Sequence, residues 1–127
     1  MRNYYHLTDH ESFSWVSAYR EPGLPGMSSF ADCELLIFEG IEEWLRGLSL
    51  DGGRESWRLW LDELLRWESL KSNRTAVVIG TDISKGIVPL KKADREHRDL
   101  AGWAYQDLAA AARRVDIIWY GIGRRLK

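Results

Sequence analysis

The chain has 127 residues, of which 45% are hydrophobic and 29% charged, as is typical of a soluble globular protein. Its formal net charge of -1 provides no global field that would attract nucleic acid or an acidic membrane surface. No apolar run approaches the roughly 20 residues of a membrane-spanning helix. We therefore expect a single domain over residues 1–127, with no nucleic-acid or membrane partner.

The N-terminus and the cysteine content both point to the cytoplasm. The first six residues, Met-Arg-Asn-Tyr-Tyr-His, lack the apolar region of a secretory signal. Cys33 is the one cysteine of the sequence, so it has no partner for an internal disulfide, and this fits a reducing compartment.

Short apolar segments alternate with helical patterns along the chain. Four such segments predict β-strands, at residues 13–19, 34–38, 76–80 and 115–120. Helical periodicity predicts three helices, at residues 41–48, 54–70 and 94–114. The last three strands alternate with these helices, which favours βαβ units and a mostly parallel sheet covered on both faces. Asp51-Gly52-Gly53 is expected to separate the first helix from the second.

Seven tryptophans are unusual for a chain of this length. Trp57, Trp60 and Trp67 share a helical phase with Leu64, which is the pattern of a buried stripe. The alternative is a stacking surface for bases or a flat cofactor. We favour the interpretation as core residues.

A loop at residues 80–89 directly follows the apolar run of the third strand. In open α/β sheets, ligands bind at the loops that follow the carboxyl ends of the strands. The sequence therefore predicts that this loop faces a ligand.

Three segments occur in a distinctive order and spacing, namely Gly-Ile-Val-Pro at 86–89, Arg-Asp-Leu-Ala-Gly-Trp-Ala-Tyr-Gln at 98–106 and Tyr-Gly-Ile-Gly-Arg-Arg-Leu-Lys at 120–127. Together they resemble the bifunctional adenosylcobinamide kinase / adenosylcobinamide-phosphate guanylyltransferases of cobalamin biosynthesis. The sequence around residues 15–19, 38–42 and 81–85 is most similar to Bacillus-type members. The resemblance covers roughly residues 13–127.

The resemblance implies a three-layer α/β architecture with a mostly parallel sheet, the RecA-like P-loop NTPase fold. It also implies chemistry in which a phosphoryl group passes from ATP or GTP to adenosylcobinamide, after which GMP is joined to the product through a histidine. The implied cofactor is GTP or ATP with Mg²⁺, and the implied ligands are adenosylcobinamide and nucleotide.

Two parts of that machinery are missing from these 127 residues. No G-x-x-x-x-G-K-[ST] phosphate-binding loop occurs, so by the resemblance the chain begins after the P-loop strand and helix. The interval 20–33, where the family carries its nucleotidyl-bearing histidine, contains no histidine. His97 lies in the third helix, where we expect a solvated side chain, with a functional role as the alternative.

The resemblance assigns several site residues. Glu39, at the end of the second strand, is a catalytic candidate that would hold Mg²⁺ through water, and Asp82 is a second acidic candidate. Either acid is also consistent with an ordinary charge at a strand end. The residues assigned to nucleotide or substrate binding are Thr81, Lys85, Gly86, Arg98 and Gln106. Tyr105 and Gly123 replace the more common Asn and Pro of the family.

The absent P-loop strand has a structural consequence. In P-loop folds of this type it lies inside the sheet, and each unsatisfied buried backbone group costs about 1–3 kcal/mol. A strand from residues 2–8, a rearranged strand order or a partner chain would have to replace it. We therefore expect a homo-oligomer or a complex with a partner subunit.

Three functions remain open from the sequence. The first is a cobalamin-biosynthesis protein that is catalytically deficient alone, because the P-loop and the nucleotidyl-carrying histidine are missing. The second is an active nucleotide-dependent enzyme of the cobinamide pathway with an altered site. The third is a protein-interaction or regulatory module on the same scaffold, docking through a tryptophan-rich face.

Overall fold

The computed structural model describes residues 12–21, 23–48, 50–81 and 91–127. Within them, the strands are β1 (Phe13–Ser17), β2 (Leu35–Glu39), β3 (Thr75–Ile79), β4 (Asp116–Trp119) and β5 (Ile122–Arg125). The helices are α1 (Ile41–Arg46), α2 (Leu50–Ser69) and α3 (Lys92–Ala111). A 3-10 turn, Met27–Phe30, lies in the Gly- and Pro-containing loop between β1 and β2.

The first three strands form a parallel sheet in the order β1-β2-β3. This confirms the predicted α/β class and the predicted parallel sheet. The register places Val16, Phe38 and Val78 in one row across the sheet. Leu36 and Phe38 are fully buried on this face, together with apolar residues of all three helices.

Side chains alternate along β2, so Leu35, Ile37 and Glu39 point to the opposite face of the sheet. Leu35 and Ile37 are buried there, with Trp15 and Val77 packed against them. Strand β2 is therefore apolar on both faces, as expected of a strand in a parallel sheet.

The tryptophan stripe is confirmed as core. Trp57, Trp60 and Trp67 of α2 are each no more than 5% exposed. The Trp60 ring packs edge-on against Phe38, with a centroid distance of 5.2 Å, and stacks on Trp57 at 5.4 Å. The prediction of a buried stripe on this helix was thus correct, because its apolar residues recur at the spacing of one helical face.

Three of the buried indoles also hold the loop between β1 and β2. Their Nε1 atoms donate to loop carbonyls, from Trp44 to Glu21 at 2.8 Å, from Trp60 to Pro25 at 2.9 Å, and from Trp67 to Phe30 at 2.9 Å. Because a buried indole N–H needs an acceptor, each tryptophan fixes one point of the loop.

Arg74 connects the end of this loop to α2. Its guanidinium donates to the carbonyls of Trp67 (2.9 Å) and Ala31 (2.6 Å) and lies 4.6 Å from the centre of the Trp67 ring. The side chain is buried, just before β3 begins. Charge-assisted bonds to two carbonyls and contact with an aromatic face offset the cost of burying this cation.

The expectation that residues 115–120 add a parallel strand was wrong for the described part of the chain. Strand β4 pairs antiparallel with β5, with Trp119 opposite Ile122. The two residues between them, Tyr120 (φ 50°) and Gly121 (φ 79°), both have positive φ. This is the geometry of a tight two-residue hairpin, which turns the chain back on itself.

The start of α2 also differs from the prediction. Helix α2 begins at Leu50, so Asp51-Gly52-Gly53 does not lie outside it, although Gly52 has a left-handed φ of 84°. Gly53 is buried, and a Cβ added there would lie 3.2 Å from Cβ of Leu48. The predicted separator therefore lies within the first turn of α2.

Candidate functional site

The carboxyl ends of β1, β2 and β3 meet at one edge of the sheet. Backbone bonds continue the pairing just past the strands, from Ala18 N–H to the Glu39 carbonyl at 2.8 Å and from Gly40 N–H to the Ile79 carbonyl at 3.0 Å. Gly40 has a φ of 79° and turns the chain from β2 into α1. A Cβ there would lie 2.9 Å from the Tyr19 ring, so the position suits glycine on both counts.

Glu42, in the first turn of α1, is the centre of a hydrogen-bond network at this edge. The residue is 4% exposed, and its carboxylate accepts the Tyr19 hydroxyl at 2.6 Å and the Thr81 backbone N–H at 3.1 Å. Its own backbone carbonyl lies 2.7 Å from Nε2 of His97. Glu42 thereby connects the segment after β1, the residue after Gly80, and helix α3.

Tyr105 approaches the same place from α3. Its hydroxyl donates to the Thr81 carbonyl at 2.5 Å. A Cβ on Gly80 would lie 2.6 Å from the Tyr105 hydroxyl and 2.7 Å from Cγ2 of Ile41. Only a residue without a side chain leaves room for this approach. The close packing of Tyr105 therefore explains why glycine stands at position 80.

The Glu42 carboxylate changes the acid–base chemistry of Tyr19. The hydrogen bond to Glu42, with contributions from burial and from the charges of Glu42 and Glu43, raises the pKa of Tyr19 to about 12. The cause is that the neutral phenol donates to the carboxylate, whereas a phenolate would be repelled by it.

Glu39 faces the other side of the sheet. Its carboxylate accepts Nε1–H of Trp15 and the hydroxyl of Ser17, both at 3.2 Å. A carboxylate has about four lone-pair positions, so two bonds leave acceptor capacity for a water or a cation. The side chain is half-buried and thus reachable at the sheet edge.

A cavity of about 350 Å³ opens next to the site, between the segment after β1 and helix α1. Its lining includes Ala18, Leu24, Glu43 and Trp44. Its size falls in the range of small-molecule sites, and its walls combine apolar surface with one carboxylate.

Comparison with known protein families matches residues 17–126 to the family described as cobinamide kinase / cobinamide phosphate guanyltransferase. The chain belongs to this family. The membership confirms the resemblance of the three motifs and the expected P-loop NTPase-like α/β fold. The match includes the strand-end site, with Tyr19, Glu39, Glu42 and Tyr105 inside it.

Two curated relatives in this cobinamide kinase family carry the name bifunctional adenosylcobalamin biosynthesis protein CobU, from Escherichia coli (strain K12) and Salmonella typhimurium (strain LT2). Each is 41% identical to this chain over 51 residues. The matched segment covers 40% of this chain and 28% of the length of each relative.

The predicted site residues of this cobinamide kinase family member fall into separate groups. Thr81 lies at the sheet edge within the Glu42 network, whereas the Glu39 side chain points to the opposite face. Arg98 and Gln106 lie on α3, which packs on the face away from Glu39. The remaining three, Asp82, Lys85 and Gly86, lie outside the described residues. The roles of all seven stay predictions.

His97 is not the solvated helix residue that the sequence suggested. It is 7% exposed, and because a carbonyl can only accept, Nε2 carries the proton that it donates to Glu42. The prediction was wrong because His97 shares the inner face of α3 with Leu100, Ala101 and Ala104. Its position favours a role in holding α3 to α1.

Sequence reasoning did not assign Glu42 and Tyr19 to the site, and it named Tyr105 only as a departure from the Asn of the family. The available signals were weak, namely an acid two residues after a strand-end glycine and a tyrosine two residues after β1. Their meeting depends on contacts 23 to 39 residues apart in the chain, which a single sequence does not display.

Among the described residues, no group of three or more His, Cys, Asp or Glu side chains is arranged to hold a metal ion. Magnesium bound to nucleotide needs only one or two protein carboxylates, since waters and phosphates complete its shell. Glu39 is compatible with that more modest role.

None of the described helices is both long and apolar enough to cross a membrane.

Proposed function

We propose that this chain acts in cobalamin biosynthesis, as a cytoplasmic protein that binds adenosylcobinamide or nucleotide at the carboxyl edge of its sheet. The observation that carries the proposal is the family match over residues 17–126, which includes the whole Glu42 network. The adjacent cavity supplies space for part of a ligand. The proposed nucleotide is GTP or ATP with Mg²⁺, with the Glu39 carboxylate holding the ion through water.

We further propose that these 127 residues are catalytically deficient alone. They contain neither a phosphate-binding loop motif nor a histidine in the interval 20–33. Backbone N–H groups and the lysine of such a loop are what cradle the phosphates in P-loop enzymes. Their absence from this sequence leaves binding as the activity that the described residues support.

The test uses the purified 127-residue chain with adenosylcobinamide, GTP or ATP, and Mg²⁺. Calorimetry is expected to detect binding of adenosylcobinamide or a nucleotide, and chromatography is expected to show no phosphorylated or guanylylated product. Absence of binding to all three compounds would contradict the proposed function. Formation of product would contradict catalytic deficiency.

A second candidate is an active enzyme with an altered nucleotide site. The lone-pair capacity of Glu39 at the end of β2 favours it. In that case Glu39→Ala should abolish product formation, whereas Glu34→Ala, at the other end of β2 and bonded to Asn73, should leave it unchanged. Equal turnover by both variants would exclude Glu39 as the catalytic carboxylate.

The interaction-module hypothesis has less support. Trp44, Trp57, Trp60 and Trp67 are buried and so do not form an exposed docking face. Trp103 is 38% exposed, with the Arg54 guanidinium 4.9 Å from its ring centre. One partly covered indole is a small surface compared with the aromatic clusters that dominate protein interfaces.

A further inference from the structure

Both backbone polar groups of Thr81 are bonded to side chains. Its N–H donates to the Glu42 carboxylate at 3.1 Å, and its C=O accepts the Tyr105 hydroxyl at 2.5 Å. Thr81 is itself exposed and follows directly on the strand-end Gly80. The backbone of an exposed residue after a strand normally bonds to water, so two side-chain bonds to the backbone of one such residue indicate a specific local constraint.

Glu42 is a rigid anchor for this constraint. It is buried, and its other carboxylate oxygen accepts the Tyr19 hydroxyl at 2.6 Å. Its backbone is also held, since the Glu42 carbonyl accepts Nε2–H of His97 at 2.7 Å. Because both the side chain and the backbone of Glu42 are held, its carboxylate can position the N–H that bonds to it. Hydrogen bonds to a charged acceptor are stronger than those between neutral groups.

Tyr105 supplies the second half from α3. The close approach of its hydroxyl to Gly80 requires the absence of a side chain there. The position of Thr81 is therefore set from two helices at once, α1 through Glu42 and α3 through Tyr105.

We infer that Glu42 and Tyr105 are positioning residues that together fix Thr81, a predicted ligand-binding residue, at the carboxyl edge of the sheet. The inference deepens the proposed function and rests on it for the ligand. It assigns the two side chains a role in ligand affinity through Thr81, without contact between either of them and the ligand. If the two side chains had a purely structural role, their replacement would change the stability of the fold. The exchange rate of the Thr81 amide and the affinity for ligand would then stay unaltered.

The first experiment is independent of any ligand. Amide hydrogen exchange is measured by NMR in the wild type and in Glu42→Ala and Tyr105→Phe. Loss of one hydrogen bond predicts that the Thr81 amide exchanges about tenfold faster in Glu42→Ala, and a few-fold faster in Tyr105→Phe. Amides within β2 should keep their wild-type rates. Glu63→Ala, an exposed carboxylate on α2, is the matched control and should leave the exchange rate of the Thr81 amide unchanged.

The second experiment measures calorimetric dissociation constants for GTP and for adenosylcobinamide with the same variants. Tyr105→Phe keeps the ring and removes one oxygen, so the fold should persist if Glu42→Ala proves unstable. We expect Tyr105→Phe to weaken binding of at least one compound about fivefold to tenfold, with a wild-type thermal midpoint within a few degrees.

The outcomes separate the two proposals. An unchanged Thr81 exchange rate in both variants overturns the positioning role, whatever binds. Wild-type affinity in Tyr105→Phe, with accelerated exchange, overturns the link from Thr81 to ligand affinity. If the wild type binds neither compound, the proposed function fails, and the role of Glu42 and Tyr105 in ligand affinity fails with it. Accelerated exchange of the Thr81 amide in the variants would still support the fixed backbone of Thr81.

Discussion

At the residue scale, the Tyr19 phenol donates a hydrogen bond to the Glu42 carboxylate, so the protonated phenol is favoured over the phenolate. The pKa of Tyr19 is raised from 10.0 to about 12, chiefly by its hydrogen bond to Glu42. A raised pKa in the folded state means that the protonated phenol stabilises the fold. This contribution is fully present below pH 10 and is lost as the pH rises from about 10 to about 12.

The titration of Tyr19 gives a direct test. Followed through the Cζ chemical shift of labelled tyrosine, Tyr19 should ionise near pH 12 in the wild type. In Glu42→Ala the same resonance should titrate close to the ordinary tyrosine value near 10, because the acceptor is gone. Tyr19→Phe assigns the resonance by removing it. A normal pKa for Tyr19 in the wild type would contradict the hydrogen bond to Glu42.

Two glycines of the matched region differ sharply in the space around them. A Cβ on Gly80 would meet the Tyr105 hydroxyl and Ile41 at less than 3 Å, whereas one on Gly102, inside α3, has nothing within 4 Å. Gly80→Ala should therefore lower the free energy of unfolding by about 1–3 kcal/mol through overpacking. Gly102→Ala should raise it by roughly 0.5–1 kcal/mol, because alanine favours the helix.

Urea denaturation of both glycine variants measures the difference. Adding Tyr105→Phe to Gly80→Ala removes the nearest colliding atom, the hydroxyl, but leaves the ring carbon Cε1 at 2.8 Å and Cγ2 of Ile41 at 2.7 Å. Part of the lost stability should therefore return. Wild-type stability of Gly80→Ala would contradict the tight approach of α3 to the end of β3.

At the element scale, the sequence predicted what depends on local pattern. Apolar runs located β1, β2 and β3 to within a residue or two, and the spacing of Trp57, Trp60 and Trp67 located the buried face of α2. What it could not predict depends on distant residues. The burial of His97 follows from packing of α3, and the Glu42 network joins four separate segments.

The β4–β5 hairpin was missed for a different reason. Residues 115–120 read as a buried strand, and the turn signal at Gly121 was accompanied by a tyrosine instead of the usual Asn or Asp. Tyr120 nevertheless adopts a left-handed φ of 50°. Lys127 after the hairpin donates to the Ala109 carbonyl at 2.6 Å, near the end of α3. Contacts after the turn thus help to define a hairpin whose turn residues alone are unfavourable.

That strain is testable at the turn. Tyr120 is 91% exposed, so its replacement should create no cavity. Tyr120→Asn should raise the thermal midpoint, with a gain in stability on the order of 0.5–1 kcal/mol, because asparagine tolerates the left-handed region. Tyr120→Val, whose branched side chain disfavours positive φ, is the matched opposite and should destabilise. The same effect from both variants would argue against the positive φ.

At the scale of the whole molecule, the composition of β3 is that of an internal strand. Within the described residues β3 is the last strand in the order β1-β2-β3, yet residues 76–79 are all apolar. Exposed edge strands usually carry charges or proline, so this composition is typical of an internal strand. This composition supports the proposal that the chain forms a homo-oligomer or binds a partner subunit. That residues 1–127 form one domain remains a prediction.

Light scattering at micromolar concentration tests that proposal. We expect a mass at least twice that of one chain. A lysine in place of Val78 would put a charge against the core and damage folding, so it cannot be used to disrupt the oligomer. Dilution is used instead, and the measured mass should fall as the complex dissociates. A monodisperse monomer throughout would count strongly against the oligomer.

Trp60, one of the tryptophans that hold the loop between β1 and β2, also gives the molecule an optical signature. The Trp57 and Trp60 rings stack at 5.4 Å with an interplanar angle of 29°, close enough for their electronic transitions to couple. The indole N–H of Trp60 is bonded to Pro25 in that loop. Detachment of the loop would therefore expose an indole to solvent, shift its fluorescence emission to longer wavelength and weaken the near-ultraviolet dichroism of the pair. Intrinsic tryptophan fluorescence and near-ultraviolet dichroism can therefore detect detachment of this loop without an attached dye.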